Sequence, residues 1–301
     1  MTVPLPVTEG YIPFRGYRTW YRVYGADTEG HAPLLMLHGG PGAAHDYLEN
    51  LSDLARNGRR VVFYDQLGCG KSDHPHDPSL WMPELFVEEI DAVRQALGLD
   101  RVHIFGSSWG GMLGMLYTLT QPAGQLSLIN NSGPADVPRW VVEVNRLRAA
   151  LPPEVQATLT RHETAGTTAS PEYEVATMVF YKRHVLKLAE YPDFVNASFA
   201  QIAADPEVYH TMNGPSEFFV IGTLKDWSIA NRLSEIRVPT LIISGEDDEV
   251  TPATMQLAAD GIPNSEWVLL PGCSHMASAE EPGIFMATID AFLDKVEGRN
   301  G

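Results

Sequence analysis

Val102-His103-Ile104-Phe105-Gly106-Ser107-Ser108-Trp109-Gly110-Gly111 is an apolar run that stops in small residues and then resumes as a helical pattern. It reads as strand, sharp turn, helix. The frame Gly106-x-Ser108-x-Gly110 is that of a nucleophile elbow. In such an elbow a serine sits on a strained turn with its hydroxyl exposed, and the flanking glycines let strand and helix approach. Ser108 is therefore the candidate nucleophile. Framing the motif on Ser107 instead puts Phe105 and Trp109 where a side chain collides.

Upstream of the elbow, short apolar runs alternate with helical ones, the pattern of parallel strands buried on both faces. Strands are predicted at Arg18–Tyr24, Leu34–Leu37 and Val61–Tyr64, with helices at Tyr47–Arg56 and Pro83–Leu97. Downstream, the elbow helix is predicted to end near Gln121-Pro122, and Leu126–Ile129 to form a strand. From Ala135 to Ser234 helical runs are broken by Pro152-Pro153, Gly166–Pro171 and Tyr191-Pro192, with no strand alternation, so this segment reads as an inserted helical cap. Val238–Ser244 and Trp267–Leu270 restore the strands, Pro282–Val296 forms a closing helix, and 298–301 a frayed tail. The predicted fold class is α/β: a mostly parallel central sheet with flanking helices. Its core is split into 1–134 and 235–301 around a cap at 135–234.

The composition excludes several classes of function. The chain has 301 residues, 44% of them hydrophobic, ample for a large core. A formal charge of −17 leaves no basic stripe for nucleic acid. No apolar run reaches the length of a membrane span, and Met1–Gly10 lacks the pattern of a signal peptide, so the reading is a soluble cytoplasmic protein with no membrane partner. Cys69 and Cys273 make neither a disulfide framework nor a four-cysteine zinc site. Gly70-Lys71-Ser72 is not a phosphate loop, because its first glycine would fall on Asp65. Gly39-Gly40-Pro41-Gly42 is not a dinucleotide fingerprint, and His74 and His76 have no helix-spaced metal pattern, so neither cofactor nor metal is expected.

A serine hydroxyl needs a base to take its proton and an acid to hold that base in one tautomer. With a strand-turn-helix elbow the chain order is serine, acid, histidine. Among the histidines after Ser108, His162, His184 and His210 fall in the cap, whereas His275 follows the last predicted strand. The acid belongs in Glu246-Asp247-Asp248-Glu249, where spacing leaves Asp247 and Asp248 both open. The oxyanion needs backbone N–H donors, one from Trp109 and one from the glycine-rich loop after Leu37, where Gly40 is preferred. His38 is read as structuring that loop.

These stretches resemble the α/β-hydrolase fold and, more narrowly, the proline iminopeptidase family, which includes the tricorn-interacting aminopeptidase. The resemblance is carried in order by His38-Gly39-Gly40-Pro41-Gly42 with His45-Asp46-Tyr47, by Asp65–Ser72, and by Gly106–Gly111. It continues through Asn213-Gly214-Pro215-Ser216-Glu217-Phe218, Asp248–Pro252 and Gly272-Cys273-Ser274-His275. It implies Asp248 as the acid completing a triad with Ser108 and His275, and Glu217 and Glu249 as anchors for a substrate amino group. Paired acids in a dry pocket bind an ammonium and reject a blocked terminus. Phe218 and Trp227 are candidates for the pocket wall. The implied activity is release of N-terminal proline, or a similar small residue, from short peptides with a free amino terminus. L-amino acid amidases share these motifs and supply the alternative, hydrolysis of an amino-acid amide. A less selective esterase and an inert ligand-binding member of the fold are the remaining readings. Relatives with aspartate at the elbow, dehalogenases and epoxide hydrolases, are disfavoured by Ser108.

Overall fold

The computed structural model describes residues 5–28 and 30–299. Residues 1–4 of the Met1–Gly10 start, and 300–301 of the expected tail, lie outside them. Among the described residues the chain forms an eight-stranded sheet in the order β1-β2-β4-β3-β5-β6-β7-β8. The strands are β1 (Val7–Phe14), β2 (Tyr17–Tyr24), β3 (Leu34–Leu37), β4 (Val61–Tyr64), β5 (Val102–Ser107), β6 (Gln125–Asn131), β7 (Thr240–Gly245) and β8 (Ser265–Leu270). β1 and β2 pair antiparallel, β2 joins β4 antiparallel, and every pairing from β4 through β8 is parallel.

Parallel strands covered on both faces read as unbroken apolar runs, and β3 and β4 are buried at every position. Their side chains alternate between two core layers. Leu35, Leu37, Val62, Tyr64 and Ile104 face α1 (Pro83–Ala96) and α2 (Trp109–Thr118). Leu34, Met36, Val61, Phe63 and Phe105 face the 45–57 segment and the closing helix Pro282–Val296.

Two elements differ from the sequence reading. β1 was not predicted because it is an edge strand with only Ile12 and Phe14 buried, so its alternation is faint. The expected helix at Tyr47–Arg56 is a run of 3₁₀ turns over His45–Asn57, closed by Gly58 in the left-handed conformation.

Between β6 and β7, neighbours in the sheet, the chain leaves for five α-helices: α3 (Val137–Ala149), α4 (Pro153–Ala165), α5 (Pro171–His184), α6 (Asp193–Ala204) and α7 (Glu207–Met212). Beyond β7 come α8 (Pro252–Gly261), the short α9 (Ala277–Glu280) and α10 (Pro282–Val296). Because β3, β5, β7 and β8 run the same way, the loops after them converge on one edge of the sheet. That edge carries the elbow, the glycine-rich loop, Asp248 and His275.

Candidate active site

The elbow is strained where the sequence requires it. Ser108 has φ 58° and ψ −121°, a conformation that non-glycine residues rarely hold and that costs about 1–3 kcal/mol. Glycine is needed on both sides: a Cβ on Gly106 would lie 2.0 Å from the Gly110 carbonyl oxygen, and one on Gly110 would lie 2.1 Å from that of Leu37. Ser107 ends β5, buried, and accepts a hydrogen bond from Asn131 Nδ2 at 3.0 Å. Ser108 instead lines a small cavity with Gly40, Trp109, Asn213 and Glu217.

Asp248 and His275 meet although 27 positions separate them: His275 Nδ1 lies 2.8 Å from Asp248 Oδ1. Ser132, just past β6, donates its hydroxyl to the other carboxylate oxygen at 2.6 Å, and the Val250 N–H donates to Oδ1 at 2.8 Å. The carboxylate is thereby held in one orientation. Asp247, left open by spacing, turns outward to pair with Lys187. Burial works against charge on His275, but Asp248, with Glu217 and Glu280, outweighs it and raises the imidazole above the ordinary histidine value.

The cap reaches these loops through backbone bonds. The carbonyl of His184, at the end of α5, accepts from the N–H groups of both Glu249 and His275, at 3.2 and 3.1 Å. Glu280 of α9 accepts from the Ser274 N–H and hydroxyl, each at 2.6 Å, and steadies the histidine loop from the other side.

Glu217 and Glu249 come together beside His275. Glu249 is 1% exposed, its Oε1 is 3.8 Å from His275 Nε2, and its Oε2 has no hydrogen-bond partner among the described residues. Glu217 lines the cavity, and Tyr209 donates its hydroxyl to Glu217 Oε1 at 2.7 Å. Burial raises both carboxyls; the Tyr209 bond and His275 oppose the rise in Glu217, while Glu217 and Asp248 push Glu249 further up. An unpartnered buried oxygen among acids is a place where a cation gains more than it would in water.

The N–H groups of Gly40 and Trp109 have no protein acceptor among the described residues. Trp109 opens α2, whose positive dipole end points at the elbow. Gly40 has φ 110°, and a Cβ there would lie 2.5 Å from the Ala43 nitrogen.

The apolar wall differs from expectation. Phe218 packs against Phe180 at 5.1 Å between ring centroids, under Arg148, and neither it nor Trp227 lines the cavity. The wall comes from Trp109, Met112, Pro134, Val137, Trp140 and Leu224. The sequence reading also missed Ser132, Tyr209 and Trp140. The signal for Ser132 was the small polar run Asn130-Asn131-Ser132 ending a strand; for Trp140 it was the spacing of Val137, Trp140 and Val144 on one face of α3. Cys69 and Cys273 are free and buried, and burial pushes the Cys273 thiol up to about 11. Both ring nitrogens of His74 are engaged, by Asp205 and the Gly70 carbonyl. No helix among the described residues is long and apolar enough to cross a membrane.

The α/β-hydrolase fold family matches residues 32–282. The proline iminopeptidase of Lactobacillus helveticus is 39% identical over 97% of this chain and 99% of its own length. That of Saccharolobus solfataricus is 40% identical over 98% of this chain and 94% of its own. Among solved structures, the proline iminopeptidase of Mycobacterium smegmatis superposes with a TM-score of 0.90 at 44% identity, over 96% of this chain and 99% of that one. VinJ superposes with a TM-score of 0.94, at the same identity and coverage. The match spans the elbow, the cap and the loops at the sheet edge, and on it the chain belongs to the α/β-hydrolase fold family and, within it, to the proline iminopeptidases.

Proposed function

We propose that this protein is a serine aminopeptidase that releases N-terminal proline, or a similar small residue, from short peptides. The observation that carries the reading is the pairing of half-buried Glu217 with buried Glu249 beside His275, with one Glu249 oxygen unpartnered among the described residues. A peptide's free amino terminus is the cation that suits it. A prolyl terminus has two N–H bonds, one for each carboxylate, and its ring fits the apolar wall. Family membership points the same way.

In this reading Ser108 Oγ attacks the first carbonyl carbon while His275 Nε2 takes its proton. Asp248 holds Nδ1–H and stabilises the imidazolium. The N–H groups of Gly40 and Trp109 receive the oxyanion. Collapse of the tetrahedral intermediate breaks the C–N bond, and His275 passes its proton to the leaving amine. Water, deprotonated by His275, then releases proline from Ser108. The segments 1–134 and 235–301 act as the catalytic core, and 135–234 as a cap that delivers Glu217 and limits entry to small substrates.

Ser108→Ala is expected to lose all measurable hydrolysis of proline anilide while keeping the wild-type melting temperature. Undiminished turnover by that variant removes the proposal. Comparing proline anilide with prolinamide, alanine anilide and an N-blocked proline anilide separates a peptidase from an amidase, since the amidase reading requires prolinamide to be the preferred substrate.

A further inference from the structure

We infer that His38 and Gln66 are positioning residues of the oxyanion hole: together they fix the peptide unit between Gly39 and Gly40 and tie it to Trp109. The inference rests on the reading above in one respect, that Gly40 and Trp109 supply the N–H donors.

His38 follows β3 and is 1% exposed. The backbone N–H of Gln66 meets its Nε2 at 2.9 Å. A backbone N–H can only donate, so Nε2 is an acceptor and the ring proton resides on Nδ1. Nδ1 lies 3.0 Å from the Gly39 carbonyl oxygen, to which it therefore donates. That carbonyl belongs to the same planar peptide as the Gly40 N–H. Holding the oxygen on one side aims the N–H on the other.

Gln66 does more than set the tautomer. Its Nε2 donates to the His38 carbonyl at 2.9 Å, and its Oε1 accepts from the Trp109 indole N–H at 2.9 Å. One buried side chain thus links the loop bearing the Gly40 donor to the residue bearing the second donor. Tyr47 completes the frame, accepting from the Gly39 N–H at 2.8 Å. Burial lowers the proton affinity of His38, which keeps the ring neutral as this pattern requires.

The chain therefore carries a second histidine at its catalytic edge that moves no proton. Its role is to hold a donor where negative charge develops, so its loss is felt in the transition state and not in substrate binding.

The test compares His38→Gln, His38→Asn and His38→Ala as folded proteins, checked by thermal melts. Asparagine keeps an N–H near the Nδ1 position; glutamine keeps only an acceptor for Gln66. His38→Ala and His38→Gln are expected to lower kcat on proline anilide by about 10- to 100-fold, with KM and inhibition by free proline unchanged. Affinity for a boronic acid analogue of proline, whose tetrahedral adduct places an oxygen in the hole, falls by the same factor. His38→Asn recovers most of both.

Wild-type kcat in folded His38→Ala, KM and proline affinity moving in step with kcat, or His38→Asn no better than His38→Gln each overturn the proposal. If the His38 variants do not fold, Gln66→Met undergoes the same comparison, and a wild-type kcat there overturns it equally. A wild-type enzyme that leaves proline anilide intact refutes the aminopeptidase reading by itself. The His38 comparison then runs on p-nitrophenyl acetate and phenylboronic acid, which need the oxyanion donors but no amine anchor.

Discussion

Glu217 and Glu249 show most plainly how single residues divide the labour of this site. Both carboxyls are raised by burial, and Glu249 also by its acidic neighbours, so an arriving ammonium restores charge that the protein alone disfavours. Removing one charged partner costs about 1.5–3 kcal/mol. Glu217→Gln is therefore expected to raise KM for proline anilide by roughly 10- to 100-fold and to leave an N-blocked anilide unaffected, as the ratio of kcat/KM for the two substrates measures. A ratio equal to wild type counts against the amine anchor. At this scale the sequence exposed residues whose role follows from a local frame: Ser108 between two glycines, and His275 after a strand. Spacing left Asp247 and Asp248 undivided and only the resemblance named Asp248, which the Ser132 hydroxyl and the Val250 N–H hold inward.

Among the elements, α1 shows a carboxylate spent on architecture. Glu89 is wholly buried, bonded to the Thr19 hydroxyl and the Leu67 N–H, and burial pushes it up to about 8 despite those donors. Its pKa in the unfolded chain is near 4.5, so the folded state binds the proton more tightly. This contribution is fully present below about pH 4.5 and is lost as the pH rises through about 8. Glu89→Gln, neutral throughout, is expected to gain stability over wild type as the pH rises from 5 to 8. The gain is on the order of a few kcal/mol, at about 1.4 kcal/mol per pH unit. Melting temperatures across that range decide it, and parallel curves for the two proteins contradict it. Elements with strong periodicity were legible, the closing helix Pro282–Val296 to the residue. β1 was not, because an edge strand buries too little to leave a pattern.

Over the whole molecule, 38 acidic against 21 basic residues give a net negative field. Such a field draws cationic substrates and is screened by salt. Raising ionic strength from about 0.02 to about 0.5 M is expected to lower kcat/KM for proline anilide several-fold and to leave an N-blocked anilide unchanged. A salt-independent ratio between the two substrates assigns the acidity to the surface alone. The cap belongs to this scale as well, since the His184 carbonyl joins α5 to the loops of both Glu249 and His275.

The sequence by itself determined the alternation of strand and helix, the elbow, and the order in which nucleophile, acid and base arrive at one edge of a parallel sheet. These follow from short-range physics: side-chain periodicity, and glycines where backbones nearly touch. Tertiary structure alone decided that Ser132 holds Asp248, that Tyr209 bonds Glu217, that Trp140 and not Phe218 walls the cavity, and that Gln66 ties His38 to Trp109. Each of these is a contact between segments far apart in the chain, set by how the sheet and cap pack, and no local pattern of residues encodes where a side chain will find its partner.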